Sequence, residues 1–255
     1  MDLARSIASV KTANKIPVIA EIKRLIPKLA KEHGLPPDER AAEHLAYDYY
    51  VGGACGVSLV TERKHFGGNP ERDIPDVLKA TPLPLLIKDF ILSEADVDYY
   101  YRLVKQSGEA YPGRFTLLLH LHLLGEQAEG MLAYVKARGM SALLETRGIP
   151  DLPALGKLKG AVGMIGINNK DIDDLERGDD HIRIIPETVS TFRKTCPEAL
   201  IISQSAHKTP ADVACSVTAG SDGVLVGTAF MLASNPVRTV YSFVNAFRMV
   251  EEEVY

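Results

Sequence analysis

The chain has 255 residues, of which 46% are hydrophobic, with 29 basic and 33 acidic side chains and a net charge of −4. That balance, without a long basic run, excludes a nucleic-acid-binding surface built on charge and suggests no polyanion partner. No apolar stretch reaches the ~20 residues of a membrane span, and Cys55, Cys196 and Cys215 have neither the even count of a disulfide framework nor metal-ligand spacing, so the chain reads as cytoplasmic with free thiols.

Residues 1–15 lack the apolar region of a signal peptide and read as a short amphipathic helix leading into the first strand. Eight short apolar runs follow, at 17–23, 56–62, 83–90, 116–122, 141–145, 163–170, 200–205 and 222–228. Helices are expected over 38–51, 94–106, 126–138, 186–195 and 236–252, with Ser93 and Asp96 as a capping pair and Pro236 opening the last. Residues 24–38 and 171–186 read as long loops. Strands buried on both faces appear as continuous Val/Ile/Leu runs, and strands alternating with helices build a parallel sheet. Eight such units in ~250 residues predict one (β/α)8 barrel domain spanning 1–255, with its active site at the C-terminal ends of the strands.

Most of the runs end in a polar or charged residue there. Lys88, at the edge of an apolar interior, suits a general acid or an amine nucleophile, or is simply a solvated strand-end lysine. Glu145 is a general base or the partner of a neighbouring lysine. Glu21 and Lys23, two apart on one strand, share a face that can be the barrel lumen, as a structural pair or as part of a site. Asn168 and Asn169 carry little signal alone. Gly227 and Thr228 after the last strand fit a phosphate site or a plain turn. His120 and His122 are expected on one face of strand four, but no third ligand stands at metal spacing, so no metal site and no cofactor are expected. Of Tyr99, Tyr100 and Tyr101, one or two are expected in the core.

Taken in order, the segments PVIAEIKR (17–24), GVSLVTERKHFGG (56–68), PLLIKDFIL (84–92), LLET (143–146), IGINNKDI (165–172) and VLVGTAFM (224–231) resemble the indole-3-glycerol phosphate synthase family over nearly the whole chain. The KDF, IGINN and TE-x3-FGG elements in this order are specific to that family among phosphate-binding barrels. The resemblance implies a decarboxylating ring closure of a carboxyphenylamino deoxyribulose phosphate, a small phosphorylated substrate, in tryptophan biosynthesis by a monomer or small homo-oligomer. It implies that Lys88 is the general acid and that Glu145 assists proton removal. Lys23 would hold the substrate carboxylate or help donate protons. Glu21 and Asn168 would orient these groups, Phe66 would pack on the aromatic ring, and Lys170, Ser203 and Ser205 would contact substrate.

The departures cluster on the phosphate side. Ile26 stands where the family has a phosphate-binding serine, with Lys28 as a partial replacement. Ser203-Gln204-Ser205-Ala206 replaces Ser-Glu-Ser-Gly, removing a carboxylate and a glycine whose backbone approaches phosphate. Lys170 replaces an arginine and loses its bidentate geometry. Retention of Lys23, Lys88, Glu145 and Asn168 points to conserved acid–base chemistry. It leaves open the synthase itself, a paralogous lyase or cyclase acting on another carbonyl compound, and a non-catalytic barrel that binds a partner.

Overall fold

The computed structural model describes residues 1–108, 112–170 and 184–247. It forms a closed barrel of eight parallel strands in sequential order: β1 (Val18–Ile22), β2 (Gly56–Val60), β3 (Leu85–Lys88), β4 (Phe115–His120), β5 (Ser141–Thr146), β6 (Met164–Asn168), β7 (Leu200–Gln204) and β8 (Gly223–Val226). All eight expected strands are present. The described helices are α1 (Leu3–Thr12), α2 (Pro27–His33), α3 (Ala42–Val51), α4 (Pro70–Ala80), α5 (Glu94–Gln106), α6 (Leu121–Leu124), α7 (Ala128–Ala137), α8 (Leu152–Lys157), α9 (Pro186–Thr195), α10 (Pro210–Thr218), α11 (Thr228–Met231) and α12 (Pro236–Val244). None of them is long and apolar enough to cross a membrane.

Local chemistry sets the helix ends. Ser93 and Asp96 form a reciprocal capping box at α5, and Thr209 and Asp212 form another at α10. Asn235 caps α12 just before Pro236. Tyr100 is buried, whereas Tyr99 and Tyr101 are half-buried. Two expectations need correction. The segment after β1 is not all loop, because Pro27 opens α2 and left-handed Gly34 closes it. Strand four stops at His120, and His122 lies on α6, so the two histidines do not share a strand face. The expected loop 171–186 lies largely outside the described residues.

Two apolar layers separate by strand parity. Residues such as Val18, Leu59, Ile87, Leu119, Ile165 and Val226 pack outward against the helices. Ile19, Leu86, Leu118, Leu143, Met164, Ile202 and Leu225 fill the lumen, joined at its base by Leu3 and Ile7 of α1. Asp222 ties α1 to this base: its carboxylate accepts from Lys11 Nζ (2.7 Å), from Arg193 (2.6 Å) and from the backbone N–H of Ile201 (2.8 Å). Since successive strand side chains alternate, the residue two places beyond each lumenal apolar group also faces the lumen. That rule carries the chain from Ile19 to Glu21 and Lys23, from Leu86 to Lys88, from Leu118 to His120, from Leu143 to Glu145, from Met164 past Gly166 to Asn168, and from Ile202 to Gln204.

Candidate active site

Glu21 is the centre of the polar layer. One carboxylate oxygen lies 2.9 Å from Lys23 Nζ and the other 3.1 Å from Lys88 Nζ. All three side chains are buried. A charge leaves water at high cost unless it is paired, and one carboxylate here satisfies two ammonium groups in a fixed geometry. Gly227 makes room for this: a Cβ there would stand 2.5 Å from Glu21 Oε1 and 3.0 Å from Lys23 Cε. The glycine after β8 is therefore required by close approach.

Asp89 and Glu62 brace the second half of the site. The Asp89 carboxylate accepts from Tyr100 Oη and from the backbone N–H of Phe90, which fixes the strand end carrying Lys88. Glu62 accepts from the backbone N–H groups of Lys64 (3.0 Å), His65 (2.7 Å) and Phe66 (3.0 Å). This turn sets Phe66 beside Lys23, Lys88 and Phe90 around a small space of about 20 Å³. A Cβ on Gly68 would lie 2.3 Å from the Thr61 carbonyl carbon, so the TE-x3-FGG segment folds only with glycine there. Neither Glu62 nor Asp89 announced this bracing role in the sequence; the signal was their place inside the TE-x3-FGG and KDF segments.

Across the eight-strand ring from β1, Glu145 ends the lumenal row of β5 and is buried. Burial alone would push its carboxyl up. The His120 imidazole, the Lys88 ammonium and Asn168 outweigh that and hold it below the usual carboxylate range. Gln204, also fully buried, lies over Gly166, where a Cβ would meet its Oε1 at 2.1 Å. Among the described residues neither polar atom of the Gln204 amide has a hydrogen-bond partner.

A cavity of about 410 Å³ opens beside Glu21 and Lys23. Lys28 and Ile26 reach it from the β1–α2 segment, Lys170 from the end of β6, Ser205, Ala206, His207 and Lys208 from beyond β7, and Gly227 and Thr228 from the turn into α11. Among the described residues its wall carries four lysines against one carboxylate, a charge balance that suits an anion. Lys208 and His207 were not anticipated from the sequence, because both lie beyond the strand-end motif. Burial holds the His207 imidazole down to about 4, so it contributes shape rather than charge. Its Nε2 is shared with Ser203 Oγ (3.2 Å) and Ser216 Oγ (3.0 Å).

Ser203 itself is placed differently from expectation. It has the opposite parity to Gln204 and lies under the β7–α10 connection, bonded to His207 and accepting from Asn169 Nδ2 at 3.1 Å. It does not line the cavity where a substrate contact was expected; its hydroxyl is taken up by His207 and Asn169. Asn169 also donates to the Ser205 carbonyl (3.1 Å), pinning a turn in which Ser205 and Ala206 both adopt left-handed backbone, φ 65° and 64°. Only glycine enters that region without steric cost. Ala206→Gly is therefore expected to stabilise the fold by about 0.5–1 kcal/mol, raising the thermal midpoint by roughly 2 °C for a chain of this size. A midpoint that is unchanged or lower would show that the turn carries no strain.

A closed parallel barrel whose strand ends hold two lysines and two carboxylates beside a lysine-walled cavity defines a (β/α)8 barrel of the enzyme type, with a cavity whose charge suits an anion. A family profile described as Indole-3-glycerol phosphate synthase matches residues 2–243. Curated proteins named indole-3-glycerol phosphate synthase are similar over most of their length. That of Halobacterium salinarum is 32% identical over 240 residues, covering 92% of this chain and 83% of the relative. That of Pyrococcus furiosus is 31% identical over 243 residues, covering 93% and 96%. That of Exiguobacterium sibiricum is 29% identical over 238 residues, covering 93% and 83%. The chain belongs to the indole-3-glycerol phosphate synthase family.

Proposed function

We propose that this chain closes the indole ring of indole-3-glycerol phosphate from 1-(2-carboxyphenylamino)-1-deoxyribulose 5-phosphate, as one barrel domain in the reducing cytoplasm. The observation that carries the reading is the pairing of Lys23 and Lys88 through one buried carboxylate, Glu21, with Glu145 across the lumen. In the reaction the ring carbon bearing the carboxylate bonds to the ketone carbon while Lys88 protonates the ketone oxygen. The bond to the carboxylate then breaks, carbon dioxide leaves, and its electron pair restores the aromatic ring. The new hydroxyl departs as water on receiving a second proton, and Glu145 takes the proton from the adjacent carbon to form the pyrrole double bond. Lys23 faces the substrate carboxylate and Phe66 the aryl ring, with Asn168 beside Glu145. The phosphate belongs in the cavity among Lys28, Lys170, Lys208, Gly227 and Thr228.

Retention of a roomy lysine-walled cavity supports a phosphorylated substrate despite Ile26 and Ala206, which line the space without closing it. Mixing the purified protein with the substrate is expected to give the fluorescence of a growing indole product at enzyme-dependent rate. A folded protein that gives none at millimolar substrate would sink the assignment and favour chemistry on a different carbonyl compound.

A further inference from the structure

One buried side chain of the polar layer, His120, has no part in the ring closure. His120 Nδ1 lies 3.1 Å from Glu145 Oε1, with both side chains almost wholly buried. The two residues are direct partners in the β4–β5 register, so neighbouring strands deliver them to the same height and the same lumenal face. Among the described residues neither His120 Nδ1 nor Glu145 Oε2 has a hydrogen-bond partner, so the 3.1 Å approach of Nδ1 to Oε1 is a close ion-pair contact. The Phe90 ring stacks on the other side of the imidazole, centroids 5.4 Å apart and planes 30° from parallel. His122 meets its edge at 6.2 Å. The imidazole is thus wedged between Phe90 and one oxygen of Glu145, which leaves the other oxygen for the reacting carbon.

We propose that His120 is a positioning residue for the base: it fixes the Glu145 carboxylate through Oε1, keeps it ionised, and leaves Oε2 as the atom that takes the proton. The proposal deepens the ring-closure reading and rests on it. An unpaired carboxylate in this layer would be protonated by desolvation and would rotate. A charged or hydrogen-bonding imidazole 3.1 Å away opposes both. Among the described residues, the other ionisable groups around the same space are Lys88 of β3 with its partner Glu21 of β1, Lys23 just beyond β1, Glu62 and Asp89 of the flanking turns, and His122 of α6. From β6 and β7 the lumenal neighbours, Asn168 and Gln204, are neutral. Lys88 remains in a His120 variant, so the effect of His120 is separable from it.

The test compares His120→Leu with His120→Asn, whose amide nitrogen can occupy the Nδ1 position. In His120→Leu, kcat should fall about 10–100-fold, the range seen when the orienting partner of a site residue is removed, with KM within about threefold. The acidic limb of kcat/KM should move to higher pH by about 1–3 units, the effect of losing an opposite charge at this distance. His120→Asn should recover most of kcat and part of the limb. As a readout free of turnover, the imidazole Nδ1–H proton resonance should lie downfield in the wild type and return upfield in Glu145→Gln. A limb that stays in place in a folded His120→Leu, or an Nδ1–H resonance indifferent to Glu145→Gln, would overturn the proposal. A wild-type protein without turnover sinks the ring-closure reading alone, and the imidazole resonance then decides the pairing.

Discussion

Lys88→Met should reduce kcat by about 10³-fold, within the 10²–10⁴ that a positioned general acid contributes, while leaving the barrel folded. Methionine matches the length and bulk of the lysine stem, so the apolar contacts of β3 survive. Glu21 does not become a lone buried charge, since Lys23 remains 2.9 Å from it. That separation of roles makes the variant informative. If Lys88 were only a partner for Glu21, its loss would appear chiefly as stability, a kcal/mol-scale effect shared with Lys23→Met. If it protonates the ketone oxygen, its loss removes a transition-state interaction, and kcat and kcat/KM fall together with KM little changed. Steady-state kinetics and a thermal scan on the same preparation separate the two cases. A kcat within tenfold of the wild type would remove Lys88 from the acid role and move attention to Lys23.

The strands were legible because each is buried on both faces and reads as an unbroken aliphatic run. Strand four ran too far for the same reason: Leu121-His122-Leu123-Leu124 continues the pattern, and short apolar runs do not tell strand from helix. The segment after β1 reads as loop because a seven-residue helix gives little periodicity, and Pro27 and Gly34 are its opening and closing residues. In the site, parity was the strongest signal. Glu21 and Lys23 were assigned to one face on that ground, and the same rule, started from lumenal Ile202, puts Gln204 inside and Ser203 outside. Applied from Leu118 it puts His120 in the chamber. The bracing contacts were not legible. Asn169 and Ser203 are 34 residues apart, and nothing local in either segment specifies that they meet. The family resemblance supplied roles for strand-end residues but was silent on His120, His207 and Lys208, which depart from or lie outside its motifs.

Asp73→Ala should destabilise the fold by about 3–5 kcal/mol, the cost of stripping a buried cation of its partner. Arg24, directly after the strand-one lysine, is buried. It grips Asp73 with two bonds, Nε to Oδ2 at 3.1 Å and Nη2 to Oδ1 at 2.6 Å. Its remaining Nη1 donates to the Asp38 carbonyl at 3.2 Å and to the Arg40 carbonyl. Asp73 is wholly buried in α4 and also accepts from Arg72 Nε at 2.9 Å. The guanidinium therefore ties three places together: the end of β1, the start of α4, and the return of the chain into α3. The intervening residues carry Ile26 and Lys28 to the cavity, so the clamp links stability to the anion end of the site. At roughly 2–4 °C per kcal/mol for a chain of this size, the midpoint should fall by about 6–20 °C. Asp73→Asn keeps one acceptor and should fall between the two. Below its own unfolding range the alanine variant should show a raised KM with kcat less affected, because the loosened segment holds Lys28 and not the acid–base pair. A midpoint within 2 °C of the wild type would mean that the carbonyls of Asp38 and Arg40 suffice to hold Arg24, and that the clamp is set by the β1–α3 connection alone.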